Sequence, residues 1–258
     1  MKLTCFVGVA VSHVYDRKFM DYADVSSRYS ARTIVQILRE VLTIESVLDI
    51  GCAKGTWLDA WRASGVDRIH GADGDYVDIA QLVVPCESFT TADLSKPLIL
   101  GSRFGLVQSL EVAEHIPNEY ADCFVQNLVK HSNGIVLFSA APPGQGGEFH
   151  INEKPYEYWR LKFRELGFEP FDFIRPQIAT DSAVSFWYRY NIMLYVHRDR
   201  IATLPMSVAK SQIMDRTPIA DISPGAFRLR KAVVRVLPAQ WQHKLARFKA
   251  AVFGRQSQ

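Results

Sequence analysis

The chain has 258 residues, of which 48% are hydrophobic and 22% are charged. This length predicts one large domain, or one domain with an appendage, and the composition excludes disordered, collagen-like and coiled-coil chains. The net charge of +3 is uneven: the eight charged residues after Asp221 are all Lys or Arg, so residues 1–221 carry a net −5. An acidic body is a poor match for nucleic acid, which attracts positive surfaces.

The cysteines and the first residues bear on the cellular compartment of the protein. Cys5, Cys52, Cys86 and Cys123 are scattered without a CxxC pair, so the sequence predicts neither a disulfide framework nor a structural zinc. The first thirteen residues form an interrupted apolar run, which favours a buried strand over a leader. No stretch approaches the ~18 apolar residues that a bilayer span requires, so we expect a cytoplasmic protein.

Strands and helices are expected to alternate through the body of the chain. The predicted strands are 46–50, 68–72, 87–91, 104–110, 134–140, 168–174 and 186–196, and the predicted helices are 56–64, 76–84, 118–131, one from Ser30 and one from Pro155 to Leu166. This alternation predicts an α/β fold, with a doubly wound, Rossmann-like and mostly parallel sheet of seven strands inside three αβα layers. The last two strands have no sizeable helix between them, which predicts an antiparallel hairpin at the sheet edge.

The pattern divides the chain into three parts. Residues 1–29 are predicted as an N-terminal cap, residues 30–200 as the main α/β domain, and residues 201–258 as a basic extension. Within the extension, residues 225–253 interleave basic and apolar side chains and predict an amphipathic helix that breaks at Pro238. Such a helix could lie on an anionic membrane at the inner surface, contact a partner protein, or pack back on the acidic body.

A glycine-rich turn follows the first strand and reads Asp49-Ile50-Gly51-Cys52-Ala53-Lys54-Gly55. In a doubly wound sheet, such a turn lets the backbone approach a ligand beside the free N–H groups of the next helix. A dinucleotide site requires the spacing GxGxxG for a pyrophosphate, which disfavours a dehydrogenase. The Asp49 carboxylate at the mouth of the turn favours a ligand with a cationic end.

This turn resembles motif I of the class I S-adenosylmethionine-dependent methyltransferases, with Ala53 in place of the middle glycine. Later strand ends resemble further motifs of that family, at His70-Gly71-Ala72-Asp73, Ala92-Asp93-Leu94 and Gln108 to His115. The resemblance covers about residues 30–196 and implies S-adenosylmethionine as the cofactor, with Asp73 on the ribose and Asp93 on the adenine amino group. The residues it places around the cofactor are Asp49, Gly51, Cys52, Ala53, Gly55, Trp57, Asp73, Gly74, Asp93, Leu94, Ser109 and Leu110.

Methyl transfer to a hydroxyl group requires a base beside the sulfonium. His115 is the first candidate, because imidazole titrates near neutral pH and this residue follows the fourth strand. Glu114 adjoins it, and His150 lies in a glycine-rich loop expected over the same edge of the sheet. The alternative is that His115 only orients its own loop.

The same residues also resemble a metal site. Glu111-x-x-Glu114-His115 with a later His150 is similar to the site of the small-RNA 3′-end 2′-O-methyltransferases, which has two Glu and two His. Such a set could hold a divalent ion that polarises a diol. Metal-free relatives carry the same short motif, so we expect no metal and keep one at these four residues as the alternative.

The aromatic segments at 149–159 and 187–191 resemble a bacterial branch of methyltransferases often found alongside glycosyltransferases. This resemblance implies a hydroxyl of a glycan or another small molecule as the acceptor. A metal-assisted nucleic-acid 2′-O-methyltransferase and a non-catalytic cofactor-binding protein remain the alternatives. The acidic body counts against the first alternative, and the acids at three strand ends count against the second.

Overall fold

The computed structural model describes the backbone of residues 17–236 and, within that range, the side chains of residues 27–236. The predicted N-terminal strand, and the part of the basic helix beyond Pro238, lie outside the described residues. Among the described helices, none combines the length and hydropathy needed to cross a bilayer.

Seven strands form one sheet in the order β3-β2-β1-β4-β5-β7-β6, which confirms the predicted α/β architecture. Every strand pairing is parallel except those of β7, which runs antiparallel to both β5 and β6. The strands are β1 (Ser46–Ile50), β2 (Arg68–Asp73), β3 (Phe89–Thr91), β4 (Leu106–Leu110), β5 (Ile135–Ser139), β6 (Phe168–Phe171) and β7 (Met193–His197). The predicted hairpin exists, but β7 is inserted between β5 and β6, so β6 forms the edge.

Helices cover both faces of this sheet. They are α1 (Arg17–Arg39), α2 (Thr56–Ala63), α3 (Ala121–Lys130), α4 (Tyr156–Glu165), α5 (Arg175–Ile178), α6 (Phe186–Asn191), α7 (Arg198–Ile201), α8 (Met206–Ala209) and α9 (Gly225–Arg235). Two hydrophobic clusters separate the layers: Val47 belongs to the cluster of α1 and α2, and Leu48 to that of α3 and α4. Successive residues of a buried strand point to opposite faces, which explains the uninterrupted apolar runs.

The first helix is longer than predicted. It begins at Arg17 instead of Ser30, so the predicted boundary between residues 1–29 and 30–200 lies inside α1. Ser30 does not cap a helix; it is fully buried, and its hydroxyl accepts a hydrogen bond from the backbone N–H of Ser185 at 3.0 Å. A serine that can cap a helix can equally well bond across the core, and the sequence does not distinguish the two cases.

Two other predicted elements are wrong. Residues 76–84 form only a single 3₁₀ turn at Ile79–Gln81, because the backbone N–H of Val83 bonds to the carbonyl of Lys54 and ties this segment to the glycine-rich turn. The predicted strand 186–196 is a helix in its first half, α6, before it becomes β7. Phe186 and Tyr190 are four residues apart, so the helix brings both rings onto Phe227 of α9.

Candidate active site

The glycine-rich turn takes a backbone path that side chains disfavour. Gly51, Ala53 and Gly55 all have positive φ, at 89°, 48° and 86°. A Cβ at Gly51 would overlap the Val112 side chain, and one at Gly55 would lie 2.8 Å from Cγ2 of Val84. The two glycines are therefore required by close packing as well as by φ, whereas Ala53 adopts the left-handed conformation with its methyl group in place.

Asp73, at the end of β2, holds this turn in shape. Its Oδ2 accepts a hydrogen bond from the backbone N–H of Ala53 at 2.7 Å, and its Oδ1 accepts one from the N–H of Gly74 at 2.7 Å. The Tyr76 hydroxyl donates to the same Oδ1. The carboxylate is almost fully buried, and burial raises its pKa, against which these donors act. Asp73 thus organises the turn in addition to the ribose role expected for it.

Asp49 is buried in β1, in register with Gln108 of β4. Burial, and to a smaller extent the charge of Asp73, raise the pKa of Asp49 to about 7, against which a hydrogen bond with Gln108 acts. The carbonyl oxygen of the Gln108 side chain accepts a hydrogen bond from the Trp61 indole at 2.8 Å, which fixes the amide beside Asp49. A carboxylate held in this way gains from any cationic group that approaches the turn.

The remaining residues expected around the cofactor are of two kinds: one forms a hydrogen bond between two strands, and the others are buried apolar side chains. Ser109 donates its hydroxyl to the carbonyl of Ile50 at 2.7 Å, so it joins β4 to β1 directly below the turn. Cys52 and Trp57 are buried in the core cluster of α1 and α2, in agreement with a packing role. Leu94 and Leu110 are buried as well.

Asp93 is placed differently from Asp49 and Asp73. It is exposed, and its carboxylate accepts hydrogen bonds from the N–H and hydroxyl of Ser95 and pairs with Lys96 at 2.9 Å. These groups lower its pKa, although partial burial opposes them. The carboxylate is therefore engaged by its own turn and is not directed toward the glycine-rich turn.

Three of the four residues considered for a metal converge beyond β4. One ligand atom each from Glu114, His115 and His150 lies within 4.8 Å of the others. The His150 Nε2 is 4.0 Å from a carboxylate oxygen of Glu114, and the two imidazole rings meet edge to face with centroids 4.9 Å apart. The cluster adjoins the glycine-rich turn, since Val112 packs on Gly51.

Glu111 lies beside this cluster, but its carboxylate is engaged elsewhere. It has a φ of +57°, and its carboxylate accepts hydrogen bonds from Gln145 at 2.8 Å and from Asn191 at 3.1 Å. Asn191 also donates a hydrogen bond to the side-chain amide oxygen of Gln145 at 2.8 Å. Glu111 thus connects the acceptor loop, defined here as residues 142–153, to α6, and the three residues that converge within 4.8 Å are Glu114, His115 and His150.

Glu153, which the sequence analysis did not identify, holds the acceptor loop together. Its carboxylate accepts hydrogen bonds from the N–H groups of Gly144 and Gly146, both at 2.7 Å, and lies 2.9 Å from Nδ1 of His150. Nδ1 is thus committed to Glu153, which orients Nε2 toward Glu114. The signal in the sequence was that Glu153 lies three residues after His150, at the end of a loop that contains several glycines.

Glu114 has an unusual environment for a carboxyl group. It is fully buried, and neither oxygen has a hydrogen-bond partner among the described residues. Burial and the nearby charge of Glu111 raise the pKa of Glu114 well above its ordinary value. Such a group is either protonated or faces a positive charge that enters the site.

The fold and this site define an α/β enzyme that binds a nucleoside cofactor at the carboxyl edge of its sheet. The family described as "Methyltransferase domain" matches residues 17–171, more than half of the chain, and the chain belongs to that family. It is a methyltransferase enzyme. A search of curated proteins gave no significant match.

Solved structures share this fold at low sequence identity. An O-methyltransferase family protein of Burkholderia thailandensis is 11% identical, with a TM-score of 0.51 over 71% of this chain and 60% of its own. Human N-acetylserotonin methyltransferase in complex with S-adenosylmethionine is 12% identical, with a TM-score of 0.50 over 69% and 55%. An amino pentose methyltransferase of Micromonospora echinaspora, also with S-adenosylmethionine bound, is 12% identical, with a TM-score of 0.49 over 71% and 97%.

Proposed function

We propose that this methyltransferase transfers the methyl group of S-adenosylmethionine to a hydroxyl group of a sugar or another small molecule. The convergence of Glu114, His115 and His150 beside the glycine-rich turn carries this proposal. A hydroxyl is a poor nucleophile until its proton is removed, and an imidazole is the side chain best suited to take that proton near neutral pH. Amine acceptors that already carry a lone pair need no such base.

The cofactor is proposed to bind over the glycine-rich turn. Asp49 supplies negative charge for the cationic amino acid end of S-adenosylmethionine, and Asp73 accepts hydrogen bonds from the ribose hydroxyls in place of the Tyr76 hydroxyl. Gly51 and Gly55 let the backbone approach, and Cys52, Ala53 and Gly74 offer main-chain groups. Asp93 needs a change of hydrogen-bond partner before it can reach an adenine amino group.

The base is proposed to be His150, with His115 as its neighbour. Glu153 fixes the ring and stabilises the imidazolium that forms when Nε2 takes the acceptor proton, as carboxylates do beside other catalytic histidines. His115 closes the other side of the cluster, where its Nδ1 lies 3.2 Å from the Phe149 carbonyl. The Glu114 carboxyl group is proposed to change its protonation state when the acceptor binds.

The acceptor class is supported by charge and by resemblance. Residues 1–221 carry a net −5, which disfavours binding of a polyanion by this part of the chain as a whole. The aromatic segments at 149–159 and 187–191 contribute mainly to the core, since Trp159, Tyr188 and Tyr190 are buried and offer no exposed face to a sugar. The proposal that the acceptor is a sugar is therefore based on the resemblance to glycan-associated methyltransferases, whereas the proposal that its reacting group is a hydroxyl is based on the histidine cluster.

The experiment is the incubation of the protein with S-adenosylmethionine labelled in its methyl group and a fractionated extract of the source organism. We expect label in carbohydrate or small hydroxyl compounds, and no label with His150→Gln. Label in RNA would overturn the acceptor class. Tight cofactor binding without any label in any fraction would favour a non-catalytic binding protein.

A metal-assisted transfer is the second candidate, and the buried unpartnered carboxylate of Glu114 favours it. A divalent ion held by Glu114, His115 and His150 would lower the pKa of an acceptor hydroxyl. Calorimetric titration with Mn²⁺ tests this: we expect binding that Glu114→Gln abolishes and that the exposed Glu119→Gln leaves unchanged. Absence of binding by the wild-type protein, together with full activity in a chelator, would leave the metal-free mechanism.

A further inference from the structure

The helix α9 is anchored to the body by one face only. The Phe227 ring packs against Phe186 and Tyr190, with ring centroids 5.0 and 5.8 Å apart. The Lys231 ammonium pairs with the Asp221 carboxylate, and Val234 is buried. Because these contacts fix the rotation of the helix about its axis, its outward face is defined.

The outward face of α9 carries a stripe of aliphatic side chains. Leu229, Val233 and Val236 are 68%, 53% and 79% exposed, and their spacing of four and three residues places them in one row. Arg228 and Arg235 are exposed beside this row. We call this set of five residues the α9 outer face. Single exposed aliphatic residues are ordinary, but a row bordered by cations is the pattern of an interfacial helix.

The α9 helix also contacts the acceptor loop. A Cβ at Gly144 would lie 2.8 Å from the carbonyl carbon of Lys231, and Arg230 donates a hydrogen bond to the Gln145 carbonyl at 3.1 Å. Gln145 in turn bonds to Glu111, next to the histidine cluster. Whatever binds the α9 outer face is therefore held close to the loop that carries His150.

We propose that the α9 outer face docks on an anionic lipid surface. Charge complementarity identifies the occupant: the chain after Asp221 contains eight Lys or Arg and no acid, and residues 237–258 add Trp241, Phe248 and Phe253 to four of those cations. Aliphatic and aromatic side chains enter the acyl boundary, and the cations meet the headgroups. The α9 outer face of a second copy would present the same cations and be repelled, and a nucleic acid would leave the aliphatic row without an apolar partner.

Vesicle sedimentation of the full chain tests this proposal. The probes are vesicles of phosphatidylcholine containing phosphatidylglycerol, and vesicles of phosphatidylcholine alone. We expect sedimentation with the anionic vesicles that weakens as salt is raised. Leu229→Gln combined with Val233→Gln should lower the apparent affinity for the vesicles roughly tenfold or more, since two aliphatic side chains that would enter the lipid are lost. Ile99→Gln combined with Met206→Gln, at exposed aliphatic positions elsewhere, should leave it unchanged.

Each other outcome contradicts the proposal. Failure of the wild-type chain to sediment with anionic vesicles, or equal sedimentation of the Leu229 and Val233 double variant, would remove the lipid surface as the occupant of this face. Self-association in analytical ultracentrifugation that the same double variant abolishes would identify a second copy instead. Calorimetric S-adenosylmethionine binding by each variant is measured in parallel, so a failure of the proposed function is recognised separately.

Discussion

The glycine-rich turn and the acceptor loop meet at one edge of the sheet, but different contacts hold them. The backbone N–H groups of the turn are satisfied within one βαβ unit, since Gly51 bonds to Ala72, Ala53 to Asp73 and Gly55 to Cys52. The acceptor loop is closed by Glu153, but it is also held by Glu111 and Asn191, which lie 34 residues before Gln145 and 46 residues after it. The comparison shows that the backbone hydrogen bonds of the turn are local, whereas the acceptor loop also depends on distant parts of the chain. The following predictions test this difference.

The largest effect is expected on the acceptor side. His150→Gln should lower the rate of methyl transfer by about 10²–10⁴-fold, since it removes the proposed base, and should leave S-adenosylmethionine affinity unchanged. Glu153→Gln should cost roughly tenfold in rate, because it weakens the contact that fixes the orientation of the ring. Turnover and calorimetric cofactor binding are the measurements, with His70→Gln as the control. A parallel loss of cofactor binding in both variants would show that the two sides are not separable.

Substitution of a glycine in the glycine-rich turn should destabilise the protein because the new side chain overlaps a neighbouring one. Gly51→Ala and Gly65→Ala place alanine at nearly the same φ, 89° and 91°, but only the first would meet another side chain. We expect Gly65→Ala to lower the free energy of unfolding by about 1 kcal/mol, and Gly51→Ala by about 2–4 kcal/mol with loss of cofactor binding. Urea unfolding and calorimetry measure these effects. Adding Val112→Ala should restore part of the loss; no restoration would place the cause elsewhere.

Asp49 should give the turn a pH signature. Burial raises its pKa from 3.8 to about 7, so the folded state prefers the protonated form. Ionisation therefore removes stability progressively as pH rises between these two values, by at most ~1.4 kcal/mol per pH unit, and the loss is complete above the higher one. Asp49→Asn has no such charge, so its free energy of unfolding relative to wild type should rise across this window. Urea unfolding at several pH values checks this, with the exposed Asp67→Asn as control; a constant difference between Asp49→Asn and wild type would mean an unshifted carboxyl.

The smallest effect is expected at Ala53, where the family has glycine. Ala53→Gly removes the strain of an alanine at a φ of 48° but increases the entropy of the unfolded chain. These effects oppose each other, so the free energy of unfolding should change by less than ~1 kcal/mol. Cofactor affinity should stay within about twofold of wild type, because the Asp73 bond to this backbone N–H is retained. A larger change in calorimetry would show that the methyl group touches the cofactor.

The same difference explains which parts of the site could be predicted. The turn at Asp49, the strands on either side of it and Asp73 follow from patterns within one βαβ unit, and all are confirmed in position. Asn191 carries no pattern of its own, and Glu153 only its spacing from His150, because their roles depend on which loop and helix are brought to His150 and Glu111. The helix predicted at residues 76–84 was wrong for a similar reason: a single bond from Val83 to Lys54 outweighs local helical periodicity.

The amino-acid sequence by itself determined the alternating α/β order, the glycine-rich turn and the separation of charge between residues 1–221 and the basic extension. These features depend on neighbouring residues, and short-range periodicity and glycine stereochemistry are visible in the sequence. Only the tertiary structure decided that Glu111 bonds to Gln145 and Asn191, that Glu114 is buried without a hydrogen-bond partner among the described residues, and that α9 lies on the acceptor loop. Each of these depends on which distant groups compete for one hydrogen bond or one surface, and that competition is settled when the chain packs.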